Sequence, residues 1–486
     1  MPASTAESSY EVLEQPLGST RHITVYEKNP EVGGTWFENR YPGCKCDIPS
    51  HNYQFSWKRN PEWTSFFSPA PEIQSYLRGL CDDEDMRSVI KCEHQIVGAQ
   101  WNEHKGTWDL KVLNNRTGEE FDDFCHFLLD SSGILNNWKW PDIPGLQSFG
   151  GELVHSANWY TARIGPRISI SKASAKEVVH FIQEPTWIVP PRIEILAQSQ
   201  AGEMMRQIEL NERNEFTPNQ IEQFKSDPDF YLKFIKTIEE QVNGNFPVIL
   251  KNTDHAGAVT ELVKDYMTTA LGNDKRLCDA LIPKFEIGCR RLTPAVGYLE
   301  SLQASNVTTV TDPIVEVEAK GLRTSMGEFF AVDAIICATG FNVSFCPRFP
   351  LIGREGNLQD LWTQAPPKAY MSCAVPGMPN YFTFLGPNAP IGHGSVFTIS
   401  EHIAKYVIRI IKKCQTEGIK AVAPTHSAVD ELAEHTKKFM PRTAWAGSCR
   451  SWFKDGRVEG EVTALHPGSR IHFFHMLQHF RGEDWE

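Results

Sequence analysis

Residues His22 to Glu27 (HITVYE) form a short β-branched run that ends on an acid, the pattern of a strand with a carboxylate at its C-terminal end. In a doubly wound sheet a carboxylate there can hold the two hydroxyls of a ribose. The pair Gly33-Gly34 follows, and bare glycine backbone lets a planar ligand approach closely. Taken alone, an acid after a strand and a glycine pair are also an ordinary turn. Two more apolar runs end in small-residue turns. Phe127 to Leu129 leads into Asp130-Ser131-Ser132-Gly133, and Ala331 to Phe341 (AVDAIICATGF) runs through Ala-Thr-Gly; both read as buried strands. Trp101 to Val112 alternates apolar and polar residues around Lys105-Gly106, which predicts an antiparallel hairpin.

Between about residues 200 and 275 the apolar period changes to that of helices. Thr217, Pro218 and Gln220 stand at N-cap, N1 and N3 of a capping box. Phe230, Phe234, Ile238 and Val242 make an i, i+4 stripe that stops at Asn243-Gly244, and core packing explains it. The tail from Arg470 to Glu486, rich in His and Phe, reads as a terminal element packed against the rest.

Composition narrows the function classes. Lys plus Arg number 48 against 60 Asp plus Glu, a net charge of −12, and no block of five or more basic residues occurs, so nucleic acid has no electrostatic footprint. The first fifteen residues lack the basic and apolar regions of a secretory signal, and no apolar run approaches the roughly 18 residues of a membrane span. A cytoplasmic protein with no membrane span is expected. The twelve cysteines contain no CxxC pair, and only Cys44 and Cys46 lie close, so reduced, mostly buried thiols are expected rather than a zinc cluster or a disulfide frame.

The run from Val25 to Trp57, VYEKNPEVGGTWFENRYPGCKCDIPSHNYQFSW, resembles the flavin-dependent Baeyer–Villiger monooxygenases, above all their fungal secondary-metabolite branch, in its GGTW, NRYPG and CDIPSHNYQFSW segments. Phe149 to Trp159 (FGGELVHSANW) matches that family's fingerprint F-x-G-x-x-x-H-x-x-x-W, although its usual final Pro or Asp is Tyr160 here. Pro185-Thr186-Trp187-Ile188, Cys289-Arg290-Arg291, Ala338-Thr339-Gly340-Phe341, Gly386-Pro387-Asn388 and Gly392-His393-Gly394 extend the resemblance to the end of the chain.

The resemblance implies an α/β fold of two dinucleotide-binding, Rossmann-like units with a helical insertion. The FAD unit would comprise residues 1–157 and 321–486, and the NADPH unit with its insertion residues 158–320. Glu27 would bind the flavin-side ribose, while Thr35, Trp36, Phe37, Glu38, Asp47 and Tyr53 would line the flavin ring. Lys45 and Cys46, with Asp47, would face the nicotinamide. Arg291, paired to Asp47, would be the active-site arginine that steadies the negative charge of the oxygen-bearing flavin, a task for a guanidinium because it stays charged at any working pH. His155 and Trp159 would sit in the linker coupling the two nucleotide units. The implied activity is insertion of one oxygen of O2 beside a ketone carbonyl, with NADPH as donor, on a small biosynthetic ketone such as a polyketide of the aflatoxin or sterigmatocystin type.

Two pieces of the family pattern are missing. The G-x-G-x-x-G turn expected ahead of His22 is absent, the only glycine there being Gly18, and Thr161 to Val179 holds only Gly165 where the second turn belongs and is a dozen or so residues short. Coding sequence missing from the chain would explain this. So would a redox-inactive descendant that uses the same pocket without FAD for isomerisation, cyclisation or dehydration.

Overall fold

The computed structural model describes residues 22–159, 175–190 and 202–486. Both stretches expected to carry glycine turns fall mainly on residues outside these ranges.

Among the described residues five two-stranded parallel pairs join distant parts of the chain, the shortest being Thr293–Pro294 on Ile188–Val189. Val25–Glu27 pairs with Ile90–Cys92, Leu128–Asp130 with Tyr381–Thr383, Glu152–His155 with Ala334–Cys337, and Val178–Phe181 with Val307–Val310. Parallel pairing needs crossover connections, and helices supply much of the intervening chain. Two antiparallel elements accompany them: a five-stranded sheet ordered Gly356–Asn357, Leu351–Gly353, His94–Asn102, Thr107–Asn114, Glu120–Cys125, whose one parallel contact is Leu351–Gly353 on His94–Asn102, and a three-stranded meander from Ile314 to Ala331. The architecture is α/β.

The expected hairpin is present: Trp101 faces Trp108 across the ladder, and Gly106 takes the positive φ of +69° that the turn requires. Trp108 is fully buried and its indole N–H donates to the Pro379 carbonyl at 2.8 Å, which seals this sheet against the C-terminal part of the chain.

In the helical stretch, Thr217 caps Pro218–Ser226 by accepting from the Gln220 amide at 3.2 Å. The box is only half formed, because Gln220 Oε1 accepts from the Glu209 amide at 3.0 Å and the Thr217 amide donates to the Glu209 carbonyl. The next helix, Pro228–Gly244, buries Tyr231, Phe234, Ile235, Ile238 and Val242. Phe230 is only partly buried, since Tyr231 and Ile235 turn the apolar face toward Phe66, Phe216 and Phe224. Near the C-terminus Ile399, Ile403, Tyr406, Val407 and Ile410 form the buried stripe of the 22-residue helix Val396–Glu417. It packs on Arg470–Gln478 through Phe473, Phe474 and Leu477, so the tail is a docked helix.

Three expectations are corrected. Leu128–Asp130 is half-buried, with Leu129 42% exposed, because this strand borders a large cavity. Ala331 to Phe341 is two strands, Phe329–Ala331 and Ala334–Cys337, separated at Val332-Asp333, and Ile336 is on the cavity wall. The cysteines are not all thiols: Cys289 and Cys449, 160 residues apart, form a disulfide. No local spacing signals a pair that only tertiary folding brings together. The other ten are free, six of them buried.

Candidate active site

A cavity of about 4000 Å³, several times an ordinary small-ligand pocket, runs along the C-terminal ends of Val25–Glu27 and Leu128–Asp130 and reaches the segments around Asp47, Trp159, Arg291 and Gly394. Strand ends supply its walls because a strand's last residue projects beyond the sheet, where loops carry side chains inward.

Glu27 closes its strand on this cavity. Its Oε1 accepts from the Asn29 amide at 2.8 Å. Burial raises its pKa above the 4.5 of an unperturbed glutamate, the Asn29 amide pulling the other way. Beyond it, Gly33 and Gly34 have φ of +120° and +49°, and a Cβ on Gly33 would meet Gln74 Oε1 at 1.8 Å. Gln74 is fixed there by donating its Nε2 to the Val32 carbonyl at 2.6 Å, so the turn has no room for a side chain. Gly34 has nothing within 4 Å of an ideal Cβ, which leaves bare backbone on the cavity.

The chain then makes one helical turn, Thr35–Glu38. Thr35, Trp36 and Glu38 line the cavity; Phe37 does not, and the Arg40 guanidinium lies 4.0 Å above its ring. Trp36 donates its indole N–H to the Tyr53 hydroxyl at 3.2 Å, with the rings edge to face at 5.6 Å. Tyr53 is buried, lies 4.5 Å from the Phe397 ring, and its hydroxyl pKa is raised by burial. Glu38 accepts from Lys28 Nζ at 2.8 Å and Asn29 Nδ2 at 3.1 Å, which ties this turn back to the strand end.

Asp47 and Arg291 meet on the same wall. Arg291 donates Nε and Nη2 to the two carboxylate oxygens at 2.5 and 2.9 Å, and its Nη1 to the Ile391 carbonyl at 3.1 Å. Burial works against the guanidinium charge, but Asp47 outweighs it and the Arg291 pKa ends above its ordinary value. Lys45 is exposed on the cavity, whereas the Cys46 thiol beside it is buried and pushed up in pKa by that burial. Arg290 also reaches the cavity, and its Nη1 donates to the Pro185 carbonyl at 3.0 Å.

His155 ends its strand fully buried. Its Nδ1 accepts from the Ala157 amide at 3.1 Å, Trp138 stacks on the ring at 4.7 Å, Trp140 meets it edge-on, and burial lowers its pKa. Trp159 is buried and lines the cavity. The structure therefore brings Glu27, Thr35, Trp36, Glu38, Lys45, Cys46, Asp47, Tyr53 and Arg291 to one cavity and leaves Phe37 outside it. The Ile391 carbonyl as third acceptor for Arg291 was not foreseen; its only sequence signal is its place beside Gly392-His393-Gly394. Among the described residues no cluster of three or more His, Cys, Asp or Glu could hold a metal ion, and no helix is long and apolar enough to cross a membrane.

Residues 10–70 match the model of an NAD(P)-binding Rossmann-like domain. The FAD-binding monooxygenase moxY of Dothistroma septosporum is 37% identical over 98% of this chain and 76% of its own length. That alignment spans 493 positions, more than this chain's 486 residues, so the relative carries residues that are missing here within the matched span. The FAD-binding monooxygenase tazF of Aspergillus terreus is 36% identical over 96% of this chain and 84% of its own. A closed crystal structure of cyclohexanone monooxygenase superposes with a TM-score of 0.78 at 22% identity, covering 95% of this chain and 93% of that one. With two such relatives matched along nearly its whole length, and the same fold beneath the Asp47–Arg291 cavity, the chain belongs to the family of FAD-binding monooxygenases.

Proposed function

We propose that this protein is a Baeyer–Villiger-type monooxygenase that uses FAD and NADPH to insert one oxygen atom of O2 beside the carbonyl of a small biosynthetic ketone, giving an ester or lactone. The observation that carries the reading is the bidentate Asp47–Arg291 pair on a cavity wall that also presents Glu27 and the Trp36–Tyr53 aromatic pair.

The residues present fit the ribose and ring of FAD. Glu27 offers a strand-end carboxylate to ribose hydroxyls, Gly34 offers bare backbone to a planar ring, and Thr35, Trp36 and Tyr53 offer the edge of a mixed polar and aromatic slot. For the pyrophosphate the cavity wall offers cations, Lys28 and Lys139, in place of a glycine cradle. Bound there and reduced by NADPH, FAD would supply the activation of O2, from which one oxygen atom passes to the ketone and the other leaves as water.

The chain's own contribution is electrostatic and positional. Arg291 holds a permanent positive charge at the wall, where a fixed guanidinium stabilises developing negative charge without reorganising. Asp47 fixes the guanidinium plane by taking two of its N–H groups, and Ile391 takes a third. Lys45, exposed on the same wall, would face the nicotinamide of NADPH. Tyr53 packs in a cluster with Trp36, Trp63, Tyr76 and Phe397 that gives this end of the cavity an apolar backing.

A ketone panel including cyclohexanone and aromatic polyketides, incubated with FAD-supplied protein, NADPH and ¹⁸O2, tests the reading. A product carrying one ¹⁸O is expected. The missing glycine turns favour a second reading, in which the pocket serves a redox-neutral isomerisation, cyclisation or dehydration. Conversion of a substrate with no NADPH consumed and no ¹⁸O gained would establish that reading instead.

A further inference from the structure

Cys289 lies two residues before Arg291, and its partner Cys449 lies next to Arg450, which also reaches the cavity. Both sulfurs belong to fully buried residues. Two residues after Arg291, Thr293–Pro294 pairs in parallel with Ile188–Val189, and the Thr293 amide donates to the Trp187 carbonyl at 3.3 Å. Arg291 therefore stands on a five-residue span, 289 to 293, held covalently at one end and by strand pairing at the other.

Both sides of the cystine are themselves fixed. The Cys289 amide donates to the Glu286 carbonyl at 3.1 Å, and Gly288, at φ +86°, packs so closely on Ile249 that a Cβ would lie 2.7 Å from its Cδ1. On the other side Lys454 Nζ donates to the Gly447 carbonyl, and Arg450 Nε lies 3.6 Å from Glu184 Oε1. Arg290 reaches the neighbouring Pro185 carbonyl. The two cysteine segments thus converge on residues 184 and 185, the same strip that leads into the strand Ile188–Val189.

We propose that the Cys289–Cys449 disulfide is a positioning element for Arg291: it fixes the backbone from which the guanidinium spans to Asp47 and Ile391. The Asp47 and Ile391 acceptors lie on other segments, so any slack at 289–291 changes where the charge sits relative to the cavity while leaving the arginine present. A displacement of about 1 Å at a charge-stabilising group costs a large part of its effect on the chemical step. Steps that do not depend on that charge, such as NADPH consumption, are spared. This rests on the oxygen-insertion reading above, but the mobility it implies at residues 286–293 does not.

The test compares the wild-type chain produced in a thiol-oxidising host with the same chain from a reducing host, together with Cys289→Ser, Cys449→Ser and the double variant, all supplied with FAD. Peptide mapping without reductant should find the 289–449 link only in the first. Every form lacking the link should show product formed per NADPH consumed reduced at least fivefold, NADPH consumption within twofold, and amide hydrogen exchange at 286–293 at least tenfold faster. The double variant should match each single one, because either substitution removes the same bond. Unchanged coupling in a folded form lacking the link, or a double variant equal to the product of the singles, would overturn the proposal. If no form consumed NADPH or bound flavin, the oxygen-insertion reading would have failed; equal exchange at 286–293 in all forms would then separately overturn the positioning role.

Discussion

Asp47 and Arg291, 244 residues apart in the chain, form a two-pronged ion pair at 2.5 and 2.9 Å on the wall of the central cavity. Their union joins the N-terminal segment that carries Trp36 and Tyr53 to the segment that follows the helical stretch. Losing a charge-stabilising donor of this kind typically costs about 10²–10³ in rate. Arg291→Ala and Arg291→Lys are therefore expected to lower oxygen insertion by at least that factor while NADPH oxidation by flavin-loaded protein stays within a few-fold of wild type. Asp47→Asn, which keeps the shape but loses the charge, should fall between. Product per NADPH, measured by chromatography against absorbance at 340 nm, checks all three; near wild-type product yield in both arginine variants would refute the assignment.

Glu27 gives a pH signature in the ligand-free protein. Its folded pKa is raised above 4.5 by burial, so as pH rises past 4.5 the unfolded chain releases this proton first. Glu27 thus lowers folding stability through that window and leaves it lower at neutral pH. Glu27→Gln should be more stable than wild type at pH 7 and equal to it below about pH 4, while binding FAD more weakly. Thermal midpoints of the two proteins from pH 4 to 8 read the difference.

Two fully buried histidines act in the opposite sense. His51, ringed by Phe216, Phe224, Tyr231 and Phe234, and His466 are both pushed down to about 3 by burial. In the unfolded chain they protonate near 6.5, so stability present above that value is lost as pH falls from about 6.5 toward 3, at about 1.4 kcal/mol per pH unit for each. His51→Phe would remove one proton from the slope of stability against pH in that window. Urea unfolding at pH 4.5, 5.5 and 6.5 measures it, and an unchanged slope would contradict the burial of this side chain.

Gly33→Ala is expected to cost about 1–3 kcal/mol, because the new methyl would need the φ of +120° and the space held by Gln74. Gly34→Ala meets strain from its φ of +49° but no neighbouring atom. In chemical denaturation Gly33→Ala should therefore lose more stability than Gly34→Ala; the reverse order would show that the turn is built differently.

The Trp101–Val112 hairpin and the Thr217 cap were legible because each is written in local periodicity or a single turn of chain, and the α/β class was legible through the resemblance. So was the gathering of Asp47 and Arg291, since no local pattern links residues that far apart. The Cys289–Cys449 bond was missed for the same reason: two cysteines 160 residues apart carry no spacing signal, and the reading of free thiols fails there. Phe37 illustrates the limit of reading a motif as a block, because within Thr35–Glu38 one turn of helix points three side chains at the cavity and the fourth at Arg40. Half-burial of Leu128–Asp130 escaped notice because an apolar strand beside a ligand cavity has the same composition as one in a core.

The most direct test is a flavin redox cycle, which needs no knowledge of the ketone. Without two or three charge-assisted amide bonds to the pyrophosphate, at roughly 1.5–3 kcal/mol each, FAD affinity should fall about a thousandfold or more, into the micromolar range. The purified chain is therefore expected to be colourless or substoichiometric in flavin. Titration with FAD, followed by anaerobic addition of NADPH and then admission of air, should show saturable binding with a Kd at or above about 1 μM, bleaching of the 450 nm band by NADPH, and its return with oxygen. No binding at 100 μM FAD, or bound flavin that NADPH cannot bleach, would contradict the flavin monooxygenase account.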